Sequence, residues 1–367
     1  MLVCDKCITS PFLRQTIREE GIPGKCPTCK RRGHRMEAEA LREDFGPLSC
    51  YYTPVVYGEH YVIDSDTGDT MPGACGGRLA EMILEDWDIL DGDVFDSKLA
   101  DDFLSEAFPD YDRSSQYASE AMFERHAHEQ FQLLAERLMH ERRFFPEPTD
   151  FDTDSMELIL DRYLDLFEAD LKSHTWYRGR RQPRTIGDAT PPVFKADKMG
   201  APPPERVLRG GRANPPGIAY LYLTSSIETA IAEVRAEPGD HVCIAKVRLT
   251  NDFKLFNANP PRGCIDPFGI EDLHSVVEQR SLIHEFGQWL SRHVPDETHE
   301  VDYLATQYLA EYVLSKGFDG IVYPSAMSKG ENLVLFNPEK SKVGKVTQYR
   351  VSAMQMTYEF GEAATGY

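Results

Sequence analysis

The sequence predicts an α+β chain in three parts: a small cysteine-rich unit, a mostly helical region, and a mixed domain of strands and helices. Three observations predict this. Four of the eight cysteines fall within the first 29 residues, as Cys4, Cys7, Cys26 and Cys29. Helical periodicity dominates most of 77–170. From about residue 172 Pro and Gly become dense, and short apolar runs of strand character alternate with helical ones. A length of 367 residues suits two domains and an appendage. The expected divisions are 1–35, 36–171, 172–350 and a tail, 351–367.

In the first part, C-x2-C is followed by eighteen residues and a second C-x2-C, the spacing of a four-thiolate zinc-ribbon-like site. Each knuckle turns two thiolates toward one ion. Gly21, Pro23 and Gly24 supply a turn before the second knuckle. Cys4, Cys7, Cys26 and Cys29 are therefore expected to hold a structural zinc. A closed four-cysteine shell leaves no open position for catalysis. Cys50, Cys75, Cys243 and Cys264 lack paired spacing and read as ordinary cysteines.

In the second part a strand is expected within 51–63. A helix is expected near 117–143, where Phe123, Ala127, Phe131, Leu134 and Leu138 recur at helical spacing, and another near 154–170. Residues 85–103 are strongly acidic. Their ordinary reading is a solvated surface, with partner docking as the minority reading.

In the third part strands are expected at 219–224, 241–249, 321–323 and 333–336, and helices at 226–236, 270–292 and 302–316. The stretch GGRANPPGIAYLYLTSSIETAIAEV, 210–234, carries most of the chemical signal. Gly210, Gly211 and Gly217 permit tight turns and close backbone approach, and Pro215 and Pro216 stiffen the loop. Tyr220 and Tyr222 face one side of a strand, Leu221 and Leu223 the other. Ser225 is placed to cap the next helix, with Glu228 three residues on. Glu233 lies on the flank of the apolar stripe Ile227, Ala230, Ile231 and Val234. Read singly, Glu233 is a half-exposed helical carboxylate and Arg212 a surface arginine. In WYRGRR, 176–181, Arg178 and Arg180 alternate along an extended piece and can face one pocket; guanidinium groups suit pyrophosphate, and the ordinary reading is a basic patch. Ser325 follows a strand end, where loops carry function; alone it is a loop serine.

Taken together and in order, YRGR, GGRANPPG…LYL…AIAEV and TQYLAEYVLSKGFDGIVYPS…GENLVLF resemble the RES family, over roughly residues 172–341. The resemblance implies an ADP-ribosyltransferase-like fold and a toxin of the bacterial toxin–antitoxin kind that consumes NAD or transfers ADP-ribose. It implies Arg178, Glu233 and Ser325 as catalytic, with the choice between Arg178 and Arg180 as the essential arginine open. Tyr222 is similar to the aromatic that lines the nicotinamide pocket, and Arg212, Asn214 and Asn332 to supporting pocket residues. The implied partners are NAD as substrate and an antitoxin or trigger protein; a homo-oligomer is left open. The upstream part resembles the helical region fused to some RES proteins and related to HEPN domains. The R-x4-6-H motif of HEPN ribonucleases is absent from 36–170, and RAEPGDH (235–241) and RHVPDETH (292–299) fit the spacing by chance.

A net charge of −20 argues against general nucleic-acid binding, SHTWYRGRRQPR (173–184) being a local exception. No run of about 18 apolar residues suggests a membrane span. MLVCDKC has no apolar signal core, so a cytoplasmic location with reduced or metal-bound cysteines is expected. The leading reading is an NAD-consuming defence effector. An ADP-ribosyltransferase acting on a macromolecule is the enzymatic alternative. A zinc-ribbon adaptor with a nucleotide-binding module that does not turn over is the alternative of another class.

Overall fold

The structure is a computed structural model that describes residues 1–55, 61–63, 70–72, 77–119, 122–143, 175–184, 189–249, 253–259, 265–270, 272–292, 294 and 299–353. The helix expected at 154–170, Cys75, Cys264 and most of the tail lie outside these residues. The described residues divide into two compact units. One takes in those of Met1–Leu134 and Pro260–Glu285, the other those of Ala135–Pro146, Phe167–Asn259 and Phe286–Tyr367.

The first unit opens with β1 (Leu2–Cys4), α1 (Pro11–Glu20), β2 (Ile22–Lys25) and β3 (Arg32–Glu37), the strands forming an antiparallel sheet in the order β1-β3-β2. Ser10 caps α1 by accepting from the Leu13 N–H, and Pro11 sits where the missing N–H costs nothing. Leu13 and Ile17, four residues apart, are wholly buried and hold α1 in place. The Asp5 carboxylate ties the sheet to α1: it accepts from the His34 N–H and from Arg18 Nε.

There follow α2 (Gly46–Tyr51), β4 (Tyr52–Pro54), β5 (Tyr61–Ile63), β6 (Thr70–Pro72), α3 (Leu79–Asp86), α4 (Ser97–Ala107), β7 (Tyr117–Ser119) and α5 (Met122–His140). The expected helix therefore begins at Met122. Residues 117–119 instead pair as a strand with β4, Tyr117 facing Pro54 and itself buried. Aromatic packing dominates here: Phe45 meets Phe103, Phe108 and Phe268 edge-on. In the acidic stretch Trp87, Ile89, Leu90, Phe95 and Phe103 turn inward, while Asp88, Asp93 and Asp96 remain exposed.

The second unit is built on seven strands: β8 (Trp176–Arg181), β9 (Leu221–Thr224), β10 (His241–Leu249), β11 (Leu255–Asn257), β12 (Gly320–Pro324), β13 (Glu331–Leu335) and β14 (Ser341–Arg350). Their order is β11-β12-β13-β9-β8-β10-β14, with only the β11–β12 pair parallel. The helices are α6 (Ile227–Glu233), α7 (Leu273–Ser291), α8 (His299–Asp302) and α9 (Leu304–Ser315). The first part of α7 counts with the first unit and its last turns, from Phe286, with the second.

Trp176, Leu221, Leu223, Val247, Leu255, Val322, Leu333 and Leu335 form the main core of the sheet. Ala230, Ala236, Val242 and Ile244 form another core that seats α6. The alternation expected in β9 holds: Leu221 and Leu223 enter the main core, and Tyr222 points the other way into the cavity described below. The cap of α6 is Ser226 rather than Ser225. Ser226 has extended backbone and accepts from the Thr229 N–H, whereas the Ser225 hydroxyl accepts from the Glu331 N–H and joins the helix start to β13.

Gly179 on β8 lets α6 lie close. A Cβ there would come within 2.5 Å of the Ala230 carbonyl oxygen, which is helix backbone and cannot swing aside. Gly179→Ala is expected to cost about 1–3 kcal/mol as α6 is displaced. Thermal unfolding should show a lowered Tm; an unchanged Tm would refute this packing. Among the described residues no helix is long and apolar enough to cross a membrane.

Candidate active site and metal centre

A cavity of about 370 Å³ opens in the second unit, lined by residues of β8, β9, β12, β13 and α6. That volume lies within the range of small-molecule pockets. Its polar walls include Arg178, Tyr222, Glu233, Tyr303, Tyr323 and Asn332. The register explains the convergence. Thr224 on β9 faces Asn332 on β13, and Asn332 in turn faces Tyr323 on β12. Arg178 reaches the cavity differently: on β8 it is Tyr177 that pairs with Thr224, so Arg178 starts from the alternate face and its guanidinium turns to the Tyr222 carbonyl.

Glu233 ends α6, a place where a negative charge meets the unfavourable end of the helix dipole. Two donors offset this. Ser325 Oγ and Asn332 Nδ2 both donate to Glu233 Oε1, each at 2.7 Å. Glu233 Oε2 has no protein partner, and no cation pairs with the carboxylate among the described residues. Ser325 also accepts from the Met327 N–H, so its own proton is committed to Glu233.

Arg178 Nη1 donates to the Tyr222 carbonyl at 2.7 Å. Burial, followed by the neighbouring Arg180 charge, brings the Arg178 pKa down to about 10, so the guanidinium remains a cation at neutral pH. A carboxylate and a guanidinium thus face one cavity without neutralising each other. Tyr222 donates to Asn214 Oδ1 at 2.7 Å and accepts from the Ala213 N–H, and burial pushes its pKa well up, so it stays neutral.

The other residues singled out by the sequence are placed differently. Asn214 is buried behind Tyr222, with its amide also donating to the Ile218 carbonyl; it fixes the tyrosine and does not line the cavity. Arg212 lines the cavity, but Nη1 donates to the carbonyls of Leu290 and Arg292, at 2.8 and 2.5 Å, at the end of α7. Arg180 lies outside the lining, donating to the Lys198 carbonyl and covering the Phe194 ring. Of the two arginines of WYRGRR, Arg178 is the one in the cavity.

Sequence reasoning missed four residues. Tyr323 and Tyr303 line the cavity. Thr306 and Gln307, both buried, donate to the carbonyls of Arg212 and Gly211 and hold the Gly-rich loop from behind. The TQ of TQYLAEY was the available signal for that clamp. Gly211 is needed where the loop meets Tyr222: a Cβ would stand 2.6 Å from Asn214 Oδ1 and 2.9 Å from the Tyr222 hydroxyl.

In the first unit the sulfurs of Cys4, Cys7, Cys26 and Cys29 all lie within 4.8 Å of one another, the one such cluster among the described residues. Cys4–Cys7 is 3.7 Å, Cys4–Cys29 3.5 Å and Cys7–Cys26 3.6 Å. The edge of a tetrahedron with metal–sulfur bonds of about 2.3 Å is about 3.8 Å, so the four sulfurs fit one ion. The Lys6 N–H points at Cys4 Sγ, and Lys30, just past the second knuckle, adopts φ 61° to complete its turn. Burial pushes the Cys4 thiol up to about 11 and that of Cys7 higher still, so a cation is what would hold those two sulfurs as thiolates.

A mixed sheet that brings a carboxylate, a guanidinium and several tyrosines to one polar cavity defines a small-molecule site suited to a charged, ring-bearing ligand. Residues 184–356 match the family model of the RES domain. Glu233, Ser325 and Asn332 fall inside the match, and Arg178 six residues before it. No curated protein matches the chain. Among solved structures the chain is similar to one in the crystal structure of the M. tuberculosis MbcT–MbcA toxin–antitoxin complex, at 15% identity and a TM-score of 0.30, over 53% of this chain and 93% of that one.

Proposed function

We propose that the second unit binds NAD and cleaves its nicotinamide–ribose bond, by hydrolysis or phosphorolysis, and that the chain is a RES-type toxin or defence effector. The observation that carries this reading is that Glu233, whose Oε2 has no partner among the described residues, lines the same cavity as the Arg178 cation. The RES domain match supports it.

When the glycosidic bond breaks, its electron pair leaves with nicotinamide, which becomes neutral, and positive charge develops on the ribose. Glu233 would stabilise that charge and accept from ribose hydroxyls, in a walled site where charges act strongly. Ser325 and Asn332 aim the carboxylate. Arg178 would hold the pyrophosphate. Tyr222, fixed by Asn214, offers a stacking face to the leaving ring. In hydrolysis, water bonds to the anomeric carbon and releases a proton, leaving ADP-ribose. The four cysteines would hold a structural zinc outside this chemistry. The helical region before the RES match is proposed to dock an antitoxin or receive a trigger.

Incubating the full chain with NAD and separating the products tests this. ADP-ribose marks hydrolysis, and ADP-ribose phosphate marks phosphorolysis. Label retained on a macromolecule would favour the transferase. A protein that binds NAD without consuming it would be the adaptor, and one that neither binds nor consumes NAD would end the proposal.

A further inference from the structure

We infer that Tyr323 is a further substrate-binding residue, whose hydroxyl donates to the carbonyl of the leaving group's carboxamide. The inference rests on the NAD reading above and extends it to the recognition of the leaving ring.

Tyr323 is 2% exposed and lines the cavity. Its hydroxyl has no hydrogen-bond partner among the described residues. Enclosed polar atoms without partners in this unit include Trp176 Nε1, Arg178 Nε and Asn332 Oδ1; Tyr323 Oη is not fully enclosed, and Tyr323 lines the cavity. A tyrosine this buried, lining a cavity with an unpartnered hydroxyl, is unusual, since buried tyrosines find a partner for that group. Burial above all, then the nearby Tyr222 and Glu233, holds its pKa well above the ordinary value, so the hydroxyl keeps its proton and can donate.

Strand order indicates which part of the ligand it meets. Across the sheet the sequence is β12-β13-β9-β8, with Tyr323 at one end and Arg178 at the other. Three strand spacings separate them, roughly 14 Å. Glu233 is held near the β12 end by Ser325 and Asn332. A ligand with its pyrophosphate on Arg178 and its ribose at Glu233 therefore brings its leaving ring toward Tyr323. The carboxamide oxygen of that ring is an acceptor, as a phenol donor requires, whereas Glu233 offers only acceptors. Backbone geometry adds that Tyr323 precedes Pro324, whose carbonyl accepts from Ser291 Oγ at 2.5 Å, so the strand end is fixed.

Tyr323→Phe in the full chain is the test, with nicotinamide and ADP-ribose titrated separately by calorimetry. The hydroxyl has no protein partner to lose, so Tm should not fall. The Kd for nicotinamide should rise about three- to tenfold, the worth of one neutral hydrogen bond, and that for ADP-ribose should stay within about twofold. Weakening of ADP-ribose instead, or no change for either, overturns the inference while leaving the NAD reading intact. A native protein that binds neither compound overturns both.

Discussion

Glu233→Gln is expected to lower kcat for NAD loss by about 10²–10³-fold while leaving Tm unchanged. The size follows from the loss of one preorganised charge aimed at a charge that develops in the transition state. The selectivity follows from the geometry. Ser325 Oγ and Asn332 Nδ2 both donate to one carboxylate oxygen, Oε1. A glutamine keeps a carbonyl oxygen there and can accept both. Only the second position changes, from an anionic acceptor to a neutral donor, and that is the oxygen the protein's own donors leave for a ligand. KM should change less than kcat, because the ground-state ribose is uncharged. Ser325→Ala removes one of two donors to Oε1 and should cost less than Glu233→Gln. Progress curves of NAD, with nicotinamide quantified as product, measure both. Equal turnover by Glu233→Gln and the native chain would remove Glu233 from the chemistry.

Arg178, Tyr222, Glu233 and Asn332 were legible only through the resemblance that three motifs carry together, with Arg178 and Arg180 not told apart, and these four do line one cavity. The division of labour among their neighbours was not legible. Arg212 and Asn214 sit in the same motif, yet one spends its guanidinium on helix-end carbonyls and the other fixes a tyrosine. Those partners are backbone groups and a ring from another element, which carry no residue-type signature. Tyr323 escaped notice for a related reason. It reads as one aromatic in an apolar strand, and only the order β12-β13-β9-β8 puts it in the cavity.

The elements themselves followed the same division. β10 was expected at 241–249 and spans His241–Leu249, since its apolar residues are buried nearly throughout. β14, Ser341–Arg350, is an edge strand rich in exposed polar groups, so hydrophobic periodicity gave no sign of it. Residues 117–119 fell within the bounds of the helix expected near 117–143, whose periodic residues begin at Phe123, and they pair with β4 instead.

Loss of the proposed zinc is expected to unfold the sheet β1-β3-β2. The three strands have three, four and six residues, and the buried apolar side chains close to them in sequence are few: Val3, Ile8, Leu13, Ile17, Ala38 and Leu41, besides Cys4, Cys7 and Cys26. Segments this small rarely hold together by burial alone. A structural zinc held by four cysteines contributes an apparent binding free energy of about 10–16 kcal/mol, most of which appears as folding free energy. Removing Cys26 also leaves Cys4, Cys7 and Cys29, whose spacings of 3.7 Å (Cys4–Cys7) and 3.5 Å (Cys4–Cys29) suit an ion and little else. Cys26→Ser, or treatment with a strong chelator, should abolish stoichiometric zinc by elemental analysis. Amide protection should then collapse over 2–4, 22–25 and 32–37. Strands β8–β10 should keep their protection, because their core, Trp176, Leu221, Leu223 and Val247 among it, contains none of these ligands. Native protein that carries no zinc, or metal-free protein that keeps full protection in β1–β3, would show that the cysteines are packed for another purpose.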